Sequence, residues 1–176
     1  MKYWKNGFYD TPIKDAVEIT DEYYQELLAG QSSGLLISER DNGHPILEVN
    51  EPTIEDVKSQ KLAALRTYDA SDRVNQFSIN NVYGWLNKST RVGLMNSINI
   101  ERETGCSITS IWLGNTHFSL SIEKAIDMLQ QLELYALACY NATQRHISAI
   151  NQLETKEEIV AYDYCIGYPG KLSFGG

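Results

Sequence analysis

The chain has 176 residues, 43% of them hydrophobic, enough for one good core or for a larger domain with a small one beside it. Lys and Arg total 15 against 23 Asp and Glu, a net charge of −8 that argues against phosphate backbones, and so against nucleic acid, as a partner. The opening "MKYWKNGFYD" lacks the apolar core of a signal peptide, and no apolar run approaches the roughly 20 residues of a membrane helix, so the reading is a cytoplasmic protein that does not engage a membrane.

In chain order, "KYWKNGFYD" sets aromatic residues on either side of Asn6-Gly7, the pair a type I′ turn favours because both central residues need positive φ, and predicts a first hairpin. Thr20 then caps "DEYYQELLAG", a helix of about two turns with acidic residues in its first turn and Gly30 as its stop. "LLISERDNGHPILEV" predicts a second hairpin about Asn42-Gly43, with Pro45 tolerable only on an edge strand. These pieces form a small N-terminal module, residues 1–52, with "NEPT" as a linker.

The second domain, residues 53–176, opens with "PTIEDVKSQKLAALRTY", a helix whose stripe is Ile54, Val57, Lys61, Leu62 and Leu65. A third hairpin is predicted about Asn80-Asn81 and a fourth about Gly114-Asn115. Between them "KSTRVGLMNSINIERETG" reads as a helix with its cap near Ser89 or Thr90 and Gly105 as terminator. The dominant element is a helix capped by Ser121 and running to about Glu154, with a seam through Ile122, Ala125, Leu129, Leu132, Ala136, Cys139, Thr143, Ile147, Ile150 and Leu153. Around "LELYALACY" apolar residues go all the way round, which predicts that the middle of the helix is covered on every side. Thr155 and Glu158 form a capping box for one more helix, and "CIGYPGKLSFGG" closes the chain as a loop and short extended tail. The fold class is therefore α+β: a hairpin-helix-hairpin module followed by antiparallel hairpins packed on a long central helix.

The chemistry-bearing residues are sparse. Cys106, Cys139 and Cys165 are odd in number and lack C-x-x-C spacing, which reads as reduced thiols. His44, His117 and His146 have no second ligand at metal spacing, and no phosphate loop, dinucleotide fingerprint or G-x-S-x-G elbow occurs. Cys139, His146 and Asp163 could assemble a thiol nucleophile and base; packing of helical seam residues is the blander account. Asp69 and Asp72 read as a helix end running into an Asx-type turn, and Arg91 as an ion-pair former. The expectation is a non-enzymatic protein with no catalytic residue, cofactor or metal.

The stretch "ITDEYYQELLAGQSSGLLISERDNGHPILEVNEPTIEDV" resembles the terminal module of phage tail-fibre assembly proteins, through Leu28, Gly30, Gln31, Gly34, Asn42, Gly43, Pro45, Pro52 and Thr53. From about Lys61 to Phe174, "YDASDRVNQFSINNVYGWLNKSTRVGL", "SIWLG", "LELYALACYNATQRHISAI" and "YDYCIGYPGKLSF" resemble a domain of unknown function in phage and prophage tail-region proteins of gut bacteria, a family with no established activity. The resemblance implies a tail accessory protein, in the bacterial cytoplasm or in the virion tail, that binds a tail or tail-fibre protein and assists fibre assembly. A structural building block that oligomerises through the long-helix seam is the alternative. Surface aromatics and exposed hairpin edges are the expected contacts: Tyr3, Trp4, Phe8 and Tyr9 of the first hairpin, and Tyr23 and Tyr24 of the short helix, against core packing as the competing use of each.

Overall fold

Turn sterics and one close helix–strand approach decide the layout of the first fifty residues. A computed structural model describes residues 1–175. β1 (Lys2–Trp4) pairs antiparallel with β2 (Phe8–Tyr9) and, on its other side, with β3 (Val17–Ile19), giving the order β2-β1-β3. The first hairpin exists, but its turn is not type I′. Trp4 is opposite Phe8, so three residues connect the strands, and of the pair Asn6-Gly7 only Asn6 is left-handed, at φ 52°. That register brings the Trp4 and Phe8 rings edge to face at 4.8 Å. β3 has no counterpart in the sequence reading: it is three residues long and follows Pro12 and two charges, too short for alternation to register.

α1 (Asp21–Ser32) starts as predicted, the Tyr23 amide donating to Thr20 Oγ1 at 3.1 Å. It runs three turns rather than two. Gly30 lies inside the helix, where the Leu47 side chain occupies the space a Cβ would take, and the left-handed residue that ends the helix is Gly34, at φ 95°. Gly30 is thus kept for close packing. β4 (Leu35–Glu39) and β5 (Pro45–Val49) pair antiparallel from Leu35↔Val49 to Glu39↔Pro45. Their connection is a five-residue loop, in which the Gly43 amide donates to the Arg40 carbonyl at 2.8 Å and the Asn42 side chain accepts from the His44 amide at 3.1 Å. Pro45 opens a strand of a two-stranded sheet, the edge position its missing N–H requires.

The chain divides into two units, Met1–Thr53 and Ile54–Gly176, one residue from the predicted boundary. In the second, α2 (Ile54–Asp69) buries Leu65. β6 (Phe77–Ile79) and β7 (Val82–Gly84) join through Asn80 and Asn81 at φ 48° and 65°, the two left-handed residues of a type I′ turn. α3 (Lys88–Glu103) is capped by Asn87, whose side chain accepts from the Thr90 amide at 2.9 Å; the cap is not Ser89 or Thr90. Gly105 ends α3 at φ 88°. β8 (Ile108–Leu113) and β9 (Thr116–Ser121) form the fourth hairpin across Gly114-Asn115, with Gly114 at φ 58°. α4 (Ile122–Gln152), 31 residues capped by Ser121, spans about 46 Å. α5 (Lys156–Ala161) carries the predicted Thr155–Glu158 capping box. The tail returns as β10 (Ser173–Phe174), which pairs with β6 in parallel, so the third sheet runs β10-β6-β7.

The core of this unit forms where Ile122, Ala125, Leu129 and Leu132 of α4 meet Phe77, Ile79, Ile98, Ile111 and Leu113. Gly84 lets Leu113 approach: a Cβ there would lie 2.6 Å from Leu113 Cδ1. The fold is α+β. One expectation about α4 fails: Leu134 is 68% exposed, Leu137 55% and Tyr140 59%, so the middle of the helix is covered on one side and open on the other. No described helix is long and apolar enough to cross a membrane.

Candidate protein-interaction surfaces

The six aromatics expected to anchor a partner are mostly spent on the interior of the first unit. Trp4 is only 8% exposed, and its indole N–H donates to Glu39 Oε2 at 3.2 Å. Phe8 is half-buried between Trp4 and the Tyr24 ring, 4.7 Å away and edge to face. Tyr23 is half-buried, its hydroxyl donating to the Pro45 carbonyl at 2.7 Å and its ring beside His44. Lys2 rests over the Tyr24 ring at 5.2 Å and ion-pairs with Asp10. Tyr3 is half-buried as well, which leaves Tyr9 as the exposed member of the set. A 53-residue unit has little interior, and the large aromatic rings pack around its buried residues Trp4, Ile19 and Leu27.

The second unit holds surfaces whose residues the sequence reading did not single out. On β8 the pattern alternates, with Thr109, Ile111 and Leu113 inward and Ile108, Ser110 and Trp112 outward. Trp112 is 60% exposed and lies against the ring of His117 at 5.1 Å, while His117 Nε2 lies 3.1 Å from Ser110 Oγ. The β8–β9 sheet has two strands, so each has an unpaired backbone edge within it. A period-2 pattern with Ile and Trp on the outward face was the available signal, hidden because Ile and Leu occupy the inward face too.

A second surface is the groove between α3 and α4. Two depressions of about 430 and 140 Å³ share Arg91 and Glu133 as their common wall; the larger is also lined by Lys88, Ala136, Leu137 and Tyr140. Arg91 is buried and donates to Glu133 Oε1 at 2.8 Å and to the Leu86 carbonyl at 2.5 Å. It is an ion pair within the unit, as read from the sequence.

The residues considered for thiol chemistry come apart. Cys139 is buried, and burial pushes its thiol above the ordinary cysteine range. Both ring nitrogens of His146 are engaged, Nε2 with the Ile166 carbonyl at 2.9 Å and Nδ1 with the Tyr162 hydroxyl at 2.8 Å. A carbonyl can only accept, so Nε2 donates to it, and in the neutral ring Nδ1 is the acceptor for the Tyr162 hydroxyl. Asp163 accepts from the Cys165 amide at 2.8 Å. Asp69 is the last residue of α2, the helix end read from the sequence, and accepts from Thr143 Oγ1 at 2.7 Å, while the Asp72 carbonyl accepts from Lys171. What these residues build is a polar, aromatic seam under the C-terminal segment, with Tyr168 stacked on His146 and near Tyr68.

That seam sets an alkaline limit. Burial pushes the phenols of Tyr135, Tyr68 and Tyr168 above the ordinary tyrosine value, as it does the Cys139 thiol. Each group holds its proton more tightly folded than unfolded. The stability it supplies is therefore complete below its unfolded value, 9.0 for the thiol and 10.0 for the phenols, and is lost as pH rises through the folded values. The urea midpoint of the second unit is expected to hold up to pH 9 and to fall steadily above it, with the part of the tyrosinate absorbance that belongs to Tyr135, Tyr68 and Tyr168 appearing as the unit unfolds. Tyrosinate formation complete at pH 11 without loss of the fold would contradict the assigned burial. No protein-family model, curated protein or solved structure matches this chain.

Proposed function

We propose that this chain is an accessory protein of a phage or prophage tail that binds another tail protein, a fibre first among them, and assists its assembly, either in the bacterial host cell or as a part of the tail. The observation that carries the binding reading is the outward face of β8–β9, where Trp112 and Ile108 are exposed on a hairpin that no third strand pairs with. An exposed Trp is the side chain with most to gain from a partner's pocket, and an unpaired edge can accept an added strand. The tail context is supported by the resemblance. In the first unit, the matching residues Gly30, Gly34, Gly43 and Pro45 are those whose special backbone or packing requirements build the module.

Co-expression with a tail-fibre protein of the same phage or prophage, followed by size-exclusion chromatography with light scattering, tests this. A stoichiometric complex is expected, and Trp112→Ser should weaken it about tenfold or more while moving stability by no more than about 0.5 kcal/mol. A fibre that elutes alone, equally soluble with and without this chain, would remove the assembly role.

A further inference from the structure

The predicted seam of α4 faces the core, so it is not free to join copies of the chain. The opposite face is free, and it too has a three-four repeat. Asp127, Gln130, Leu134, Leu137, Asn141, Gln144 and Ser148 are all exposed, with the leucines in the middle and amides on either side. We propose that two copies of this chain form an antiparallel dimer across this face of α4, with the two-fold axis between Leu134 and Leu137.

The charges choose a second copy, and they choose its direction. The charges of α4 ahead of the leucines are the exposed Glu123, Lys124 and Asp127 and the half-exposed Glu133, net −2, and beyond them stands Arg145 alone. Parallel pairing in register would set Asp127, Glu133 and Arg145 each against its own copy. Antiparallel pairing places Leu134 on the partner's Leu137 and Gln130 on the partner's Asn141, and it brings the partner's Arg145 to the turn that holds Glu123, Lys124 and Asp127, net −1. It also carries the partner's Glu133 to the Tyr140 end of the α3–α4 groove. Lys88 stands there with no ion-pair partner among the described residues, and Glu133 is half-exposed, with one oxygen 3.4 Å from Arg91 Nη2. Both charge contacts repeat by symmetry, as a closed dimer requires. A patch centred on four leucines and two tyrosines is small, which points to micromolar rather than obligate association.

Sedimentation velocity of the purified full chain from about 1 to 100 µM is the test, a range spanning the micromolar affinity expected of a small interface. A mass rising from one to two chains is expected, and Leu137→Glu should raise the dissociation constant about 100-fold, as for a central anchor. Leu137 is exposed, so an unchanged thermal melt of that variant separates lost pairing from lost folding. Arg145→Glu should weaken the dimer, and adding Asp127→Arg should restore it. For direction, Leu134→Cys and Leu137→Cys are placed in a background with Cys106→Ser and Cys165→Ser. The double cysteine variant should cross-link on mild oxidation and each single one should not. A monomer at every concentration, or single variants that cross-link as readily as the double, would overturn the proposal. The outcome is independent of the fibre experiment, which reads a different surface.

Discussion

Leu132→Asp is expected to leave the second unit with no cooperative unfolding transition. Leu132 is fully buried on α4 within the cluster that joins α3, the β8–β9 hairpin and the β6–β7 strands, and its buried neighbours in that cluster are hydrophobic side chains that offer a carboxylate no ion-pair partner. Burying an unpaired charge costs several kcal/mol beyond the lost packing, against a total stability of about 5–15 kcal/mol for a domain of this kind. Leu132→Ala, which opens a cavity and buries no charge, should keep the transition and lower stability by about 2–5 kcal/mol in urea. Ala136→Asp belongs to a different class. The sequence places Ala136 in the same seam, but it is half-buried on the wall of the α3–α4 groove, where water reaches it. That variant should cost about 1 kcal/mol or less. A Leu132→Asp melt like the wild type's, or an Ala136→Asp protein that fails to fold, would show that the buried line along α4 is misplaced.

The contrast between these neighbours shows how far the sequence could be read. Elements with strong local chemistry were legible in it: Thr20, Ser121 and the Thr155–Glu158 box as caps, and Asn80-Asn81 as a two-residue turn. Elements set by distant contacts were not. Gly30 looks like a stop because glycine ends helices, yet Leu47 on β5 packs against it and the helix continues. β10 is two residues long and forms only because β6, nearly a hundred residues earlier, offers an edge. The first-unit aromatics read equally well as anchors or as core, and a pattern of residue types cannot decide between those uses. The same ambiguity hid the open side of α4: an all-round apolar stretch implies cover on every side only if enough other elements exist to supply it, and here α2, α3 and the hairpins cover one side.

Arg91 gives the second large effect, and its size depends on which partner is removed. The guanidinium is almost fully buried, donates to both Glu133 oxygens and to the Leu86 carbonyl, and lies 5.2 Å from the centre of the Trp85 ring. Arg91→Ala removes all of this and orphans a buried carbonyl, so a loss of about 3 kcal/mol is expected. Arg91→Lys keeps the charge but cannot make the two-pronged contact and the carbonyl bond together, and should fall between Arg91→Ala and the wild type. Glu133 is 43% exposed on the groove side, and its removal lets water reach the Arg91 nitrogens it held, so Glu133→Gln should cost only about 1–2 kcal/mol. The Arg91→Ala loss should shrink only in part at high salt, because the guanidinium is buried while Glu133 is open to screening ions. Urea titrations of the three variants at two ionic strengths read both the order and the salt response. An Arg91→Ala protein within about 1 kcal/mol of the wild type would place this ion pair among the surface pairs that contribute little, and would remove it as the brace holding α3 to α4 beside the groove.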